Sequence, residues 1–150
     1  MQTHRESLEE EATHATDEAR MVLPGVQAVL GFQLVAVFNQ RFTELSSSEQ
    51  SLHLVAFLMV ALAMGLMMAP AAYHRQAERG KVTRRFVTLA SRFLTLAMIP
   101  LIVGICLDTY LIARLVLEEK AMPAIIAGTV AVVLVGLWYA LPAVCRHLKE

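Results

Sequence analysis

Phe86 to Leu117 is a run of thirty-two residues, almost all Leu, Ile, Val, Ala, Met, Phe and Thr, broken by Arg92, Asp108 and Arg114. As one α-helix it extends about 48 Å, against a bilayer hydrocarbon core of about 30 Å. A segment this long and apolar has one economical solution, to cross a membrane as a helix, because every backbone polar group is then satisfied within the segment. Arg92 and Asp108 put two ionisable groups where an apolar span ordinarily holds none. The rest of the chain is read as neighbours for this helix.

The remaining residues fit that reading. Hydrophobic residues make up 57% and charged ones 17% of 150 residues, too apolar for a soluble domain of this size. Net charge is zero, but six acids (Glu6, Glu9, Glu10, Glu11, Asp17, Glu18) fall in the first twenty residues, and five bases (Arg75, Arg79, Lys81, Arg84, Arg85) fall in one loop. That loop has no interleaved aromatics, so it is read as a membrane-orientation signal and not as a nucleic-acid surface. Cys106 and Cys145 lie in apolar runs expected near opposite membrane faces, which rules out a disulfide between them. No Cys/His cluster points to a metal, and no cofactor motif is present.

Residues 1–20 lack the basic start and apolar middle of a signal peptide and are expected to be an acidic tail ending in a short surface helix near Ala15 to Arg20. The membrane domain then takes up residues 21–150, with spans expected at about 22–42, 52–73, 86–110 and 122–145. Pro24 and Gly25 predict a break between the surface helix and the first span. Ser46 and Glu49 read as a capping box that starts the second helix, and Pro70 should kink or end it. Pro100 predicts a kink in the third helix. Small residues recur along three helices: Ala61, Gly65, Ala69; Ala90, Ala97, Gly104; and Ala124, Gly128, Gly136, Ala140. Each stripe allows a second helix to approach closely. Three seams exceed what one tight pair needs, so a homodimer or larger oligomer is expected.

With the basic loop inside, nine bases (Arg5, Arg20, Arg75, Arg79, Lys81, Arg84, Arg85, Arg146, Lys149) lie on the cytoplasmic side and three (Arg41, Arg114, Lys120) outside. Both termini are then cytoplasmic. The fold expected is an all-α bundle of four transmembrane helices. This topology places Gln27, Tyr73, His74 and Arg92 near the inner face, and Asn39, Gln40, Arg41, His53 and Asp108 near the outer face.

Asp108 carries the sharpest hypothesis. An intramembrane carboxylate is a candidate proton or cation carrier. The structural alternative is an ion pair or hydrogen bond with Arg41, His53 or a first-span amide. His53 is the candidate relay partner, and Gln33 and Gln40, which share one helical face, are the candidate polar lining. Arg92 lies about 160° around the helix from Asp108 and about 24 Å along it, so the two need separate partners. Arg92 either reaches the headgroups, pairs with Asp17 or Glu18, or forms an anion site. No hydrolytic triad, phosphate loop or paired-carboxylate motif is present, so the chain is not read as an enzyme.

The string Leu23-Pro24-Gly25-Val26-Gln27, then Gly31-Phe32, Asn39-Gln40-Arg41-Phe42, Leu45-Ser46 and Ala69-Pro70-Ala71-Ala72-Tyr73-His74-Arg75 resembles an uncharacterised family of small bacterial four-helix integral membrane proteins. Some members of that family carry the label sodium:proton antiporter. The resemblance covers residues 17–145 and implies a four-span protein of the bacterial cytoplasmic membrane. Two functions follow as expectations. One is an oligomeric transporter or channel for H⁺ or Na⁺ centred on Asp108. The other is a non-transporting scaffold whose acidic tail and basic loop bind a protein partner or lipid headgroups.

Overall fold

A computed structural model describes residues 7–77, 82–117 and 121–148. Arg5, Glu6, Arg79, Lys81, Lys120 and Lys149 lie outside the described residues. The described chain is helical throughout: α1 (Leu8–Ala36), a 3₁₀ turn (Gln40–Glu44), α2 (Ser47–Ala77), α3 (Arg84–Val116), and α4 (Met122–Val135). A π-helical turn (Gly136–Ala140) carries α4 into α5 (Leu141–His147), and together these make a fourth apolar helix, Met122–His147. Four helices among the described residues are long and apolar enough to cross a membrane. The protein is therefore an all-α, multi-pass membrane protein.

The starts of α1, α2 and α3 are set locally. Ser7 and Glu10 cap α1 reciprocally. The expected box forms at α2, where Glu49 Oε2 accepts the Ser46 backbone N–H at 2.8 Å and Ser46 Oγ accepts that of Glu49 at 3.3 Å. Thr83 Oγ1 caps α3 by accepting the Phe86 N–H at 3.2 Å.

The first helix departs from expectation at both ends. It starts at Leu8, not near Ala15, and runs through Pro24 and Gly25 without a break. Pro24 removes one backbone donor, but the helix is anchored on both sides of it. Below, Ala12 packs with Phe86 and Ala90. Above, Val26 joins Val60, Ala63, Met67, Ala97 and Leu101 in the main core. The acidic segment is thus the first turns of a packed helix. At its other end α1 stops at Ala36, short of residue 42. Likewise α2 continues through Pro70 to Ala77, and α3 continues past residue 110 to Val116.

The small-residue seams have different fates. The α3 stripe is used: Ala90, Ala97 and Gly104 are buried. At Gly104 a Cβ would lie 2.6 Å from Val60 Cγ2 and 3.1 Å from the Ala56 carbonyl oxygen, so the missing side chain is what lets α2 and α3 meet. The α2 residues that meet it are Ala56, Val60, Ala63 and Met67, not Ala61, Gly65 and Ala69; Gly65 is exposed, with open space around it. The fourth-helix stripe is also uncovered, with open space at Gly128 and Gly136. This helix packs chiefly on α3, and Tyr139 pins it there by donating to the Thr95 carbonyl at 2.9 Å. That carbonyl lies close to the turn where Pro100 withdraws a backbone donor.

Candidate functional site

The turn joining α1 to α2 and the end of α3 lie together at one end of the bundle, here the hairpin end. Asp108 is eight residues from the last residue of α3, about 12 Å along the axis. Its side chain is 18% exposed, and that of His53 10%. A carboxylate this far inside an apolar segment needs partners, and two other helices supply them. Gln33, in the last turn of α1 and 4% exposed, donates from Nε2 to Asp108 Oδ2 at 2.6 Å. His53, at the start of the α2 apolar run, puts Nδ1 3.6 Å from Asp108 Oδ1. Its other nitrogen, Nε2, lies 3.0 Å from the main-chain carbonyl oxygen of Gln33.

These contacts fix where hydrogens reside. The Gln33 carbonyl only accepts, so His53 Nε2 carries a hydrogen and donates it. That carbonyl is one of the last four of α1, which have no partner within the helix. His53 therefore serves as a side-chain cap for α1. Its Nδ1 is left facing Asp108 Oδ1, and both are acceptors unless one proton lies between them. One proton, on Nδ1 or on Oδ1, converts a repulsive contact at 3.6 Å into an attractive one, and in either position the pair is neutral overall. Oδ2 is already used as the acceptor from Gln33, so the proton belongs on the Oδ1 side.

One group is left over. Gln33 Oε1 is buried and has no hydrogen-bond partner among the described residues. A buried amide oxygen without a donor costs about 1–3 kcal/mol, so it is an open position for one.

The cluster forms one wall of a cleft of about 500 Å³. The other walls are mainly apolar, with Val29, Phe32, Ile105, Leu111 and Ile112 among them. Above the cluster the chain is pinned by polar contacts. Phe42 of the 3₁₀ turn packs T-shaped against His53, with ring centroids 5.3 Å apart. Gln50 Nε2 donates to the carbonyls of Phe42 and Leu45 at 3.3 and 3.2 Å. Arg114 Nε reaches Glu49 Oε1 at 3.1 Å and ties the end of α3 to the start of α2. Glu49 lies in the polar first turn of α2, before the apolar run. The Ser46 backbone N–H, then the Ser46 hydroxyl, hold its carboxyl below the ordinary value of 4.5.

Of the residues singled out in the sequence, Gln33, His53 and Asp108 come together. Arg41 lines the cleft but makes no contact with Asp108; it lies 3.9 Å from Glu44, with both side chains well exposed. Gln40 is not in the cluster. It is an exposed residue of the 3₁₀ turn, and its carbonyl accepts the Thr43 hydroxyl at 2.7 Å. Arg92 is exposed, and no ion pair joins it to a described residue; Asp17 pairs instead with Arg20 at 3.5 Å. The sequence reading missed the role of the Gln33 backbone. The signal for it was a histidine one turn inside a span, opposite the end of the preceding helix.

No curated protein and no solved structure matches the chain. Residues 1–142 match a family described as "Family of unknown function (DUF6328)". Four apolar helices with a shared polar cluster near the hairpin end are thus the features of a chain that belongs to this DUF6328 family.

Proposed function

We propose that this protein moves protons, or a cation in exchange for protons, with Asp108 as the carrying carboxylate. The observation that supports the reading is the convergence of Gln33, His53 and Asp108, from three helices, on a site where one proton between the facing His53 and Asp108 acceptors relieves their repulsion. Gln33 orients the carboxylate, and His53 holds or passes the proton at Nδ1. Losing that proton leaves two acceptors face to face, so the site favours replacement by another positive group. The bundle sits in a bacterial cytoplasmic membrane with both termini inside, following the basic loop. A second copy of the chain, meeting the uncovered fourth helix, would enclose a path that one bundle of this size does not.

The test is flux in proteoliposomes carrying a pH-sensitive dye, under H⁺, Na⁺, K⁺ and organic-ammonium gradients, with empty liposomes as the blank. Wild-type protein is expected to move protons, and Asp108→Asn, which keeps an acceptor for Gln33, is expected to remain folded without flux. Absence of wild-type flux under every gradient overturns the reading in favour of a non-transporting scaffold.

A further inference from the structure

We infer that the cleft beside Asp108 takes a lipophilic organic cation bearing N–H donors, an aryl- or alkylammonium, in exchange for one proton. This rests on the reading of Asp108 as the cation-carrying group, and it names the substrate class.

Three observations carry it. The first is size and lining. A cleft of about 500 Å³ with mainly apolar walls and polar groups at one place has the form of a small-molecule site. An alkali ion has no use for that apolar volume. It needs a shell of oxygens to replace its water. Within the polar cluster, the Gln33 main-chain carbonyl is already taken by His53, leaving the Asp108 carboxylate and Gln33 Oε1.

The second is the hydrogen-bond inventory. Gln33 Oε1 is an acceptor without a donor, beside a carboxylate whose Oδ2 is bonded to the same amide. An ammonium group supplies several donors on one charge. Its donors reach Asp108 Oδ1 directly, and reach Gln33 Oε1, which protein atoms cover, on a turn of that amide; a quaternary ammonium has no donor to offer either.

The third is charge. With one proton the His53–Asp108 pair is neutral, as argued above. When an ammonium ion enters and that proton leaves to water, the carboxylate is ionised, the imidazole is neutral and the ligand is positive, so the site is neutral again. The exchange is one cation for one proton. It never leaves an unpaired charge in the span, which would be costly. The titratable and charged groups facing the site are His53 from α2, Asp108 from α3, and, on the cleft wall, Arg41 from the 3₁₀ turn beside its counterion Glu44. From α1 the site receives the uncharged Gln33. Phe32 and Phe42 on the walls put aromatic rings within reach of the cation.

The experiment is titration calorimetry of the full chain in lipid nanodiscs, in two buffers of different ionisation enthalpy, with empty nanodiscs as the blank. The probes are 4-phenylbutylammonium and its N,N,N-trimethyl analogue. The primary ammonium is expected to bind with release of one proton per molecule, and the trimethyl analogue at least tenfold more weakly. Asp108→Asn should lose binding. Ile112→Trp, which fills the cleft and removes none of its polar groups, should lose it too, and this variant keeps the test valid if Asp108→Asn fails to fold. Equal binding of the two probes, or binding without proton release, overturns the inference. So does Na⁺-driven, Asp108-dependent flux without probe binding, and that result leaves the ion-carrying reading in place. Probe binding without any flux in proteoliposomes overturns that reading alone.

Discussion

The two halves of α3 treat the charged residue inside their apolar run in opposite ways. Asp108, near the hairpin end, is bonded by Gln33 of α1 and faced by His53 of α2. Arg92, near the start of the same helix, is exposed and paired with no described residue. The difference follows from side-chain reach. Arginine has a long apolar stem and can carry its charge to the headgroup region. Aspartate has one methylene and must find partners at the depth where its backbone lies. Two charges that interrupt an apolar run alike therefore mean different things, and the carboxylate is the one around which other helices supply partners.

The first prediction tests that contrast directly. Asp108→Asn should reduce proton flux to the level of empty liposomes. Arg92→Gln should leave it within about twofold and leave stability within about 0.5 kcal/mol, as an exposed substitution does. Loss of flux in both variants, both folded, would show that the start of α3 belongs to the transport path and would end the comparison.

The polar cluster was legible in the sequence to the extent that helical phase was legible. Asp108 lies on the side of Ala97 and Gly104, so the carboxylate points with the buried seam, and Gln33 was placed as polar lining. Gln40 was placed with it because seven residues make nearly two helical turns. That argument fails once the chain stops being a helix, and α1 ends at Ala36. The break expected at Pro24 failed for the opposite reason. One missing hydrogen bond is outweighed by packing on both sides, which a local reading does not see. The seams show a third kind of limit. Small residues permit close approach but do not compel it. On α2 the partner of Gly104 is the stripe through Ala56, Val60 and Ala63, although Gly65 offered a smaller residue.

A second prediction sharpens the comparison by extending it to glycine. Gly104→Ala places a methyl against fully buried, β-branched Val60 and the Ala56 carbonyl, neither of which can give cheaply. It should cost about 1–3 kcal/mol, read as a lower thermal midpoint in one detergent. Gly128→Ala meets open space and should be neutral or gain up to about 1 kcal/mol from helix propensity. If Gly128→Ala instead destabilises the protein or shifts its oligomer size, the fourth helix is packed against a second copy.

The smallest effect is expected at the polar contacts above the cluster. Glu49 caps α2 through Ser46 and pairs with Arg114, so Glu49→Gln weakens the hydrogen bonds to Ser46 and removes the charge opposite Arg114. A loss of about 0.5–1 kcal/mol is expected, in the range of a helix cap, since ion pairs near the surface add little. The pH dependence has a definite sign. Because the Ser46 donors depress the folded value below the ordinary 4.5, this contribution is present above pH 4.5 and lost as pH falls through the folded value. Thermal midpoints of wild type and Glu49→Gln should therefore differ at neutral pH and converge in acid. A difference that persisted at the lowest pH would mean that Glu49 acts by packing, and that charge at the hairpin end matters only at Asp108.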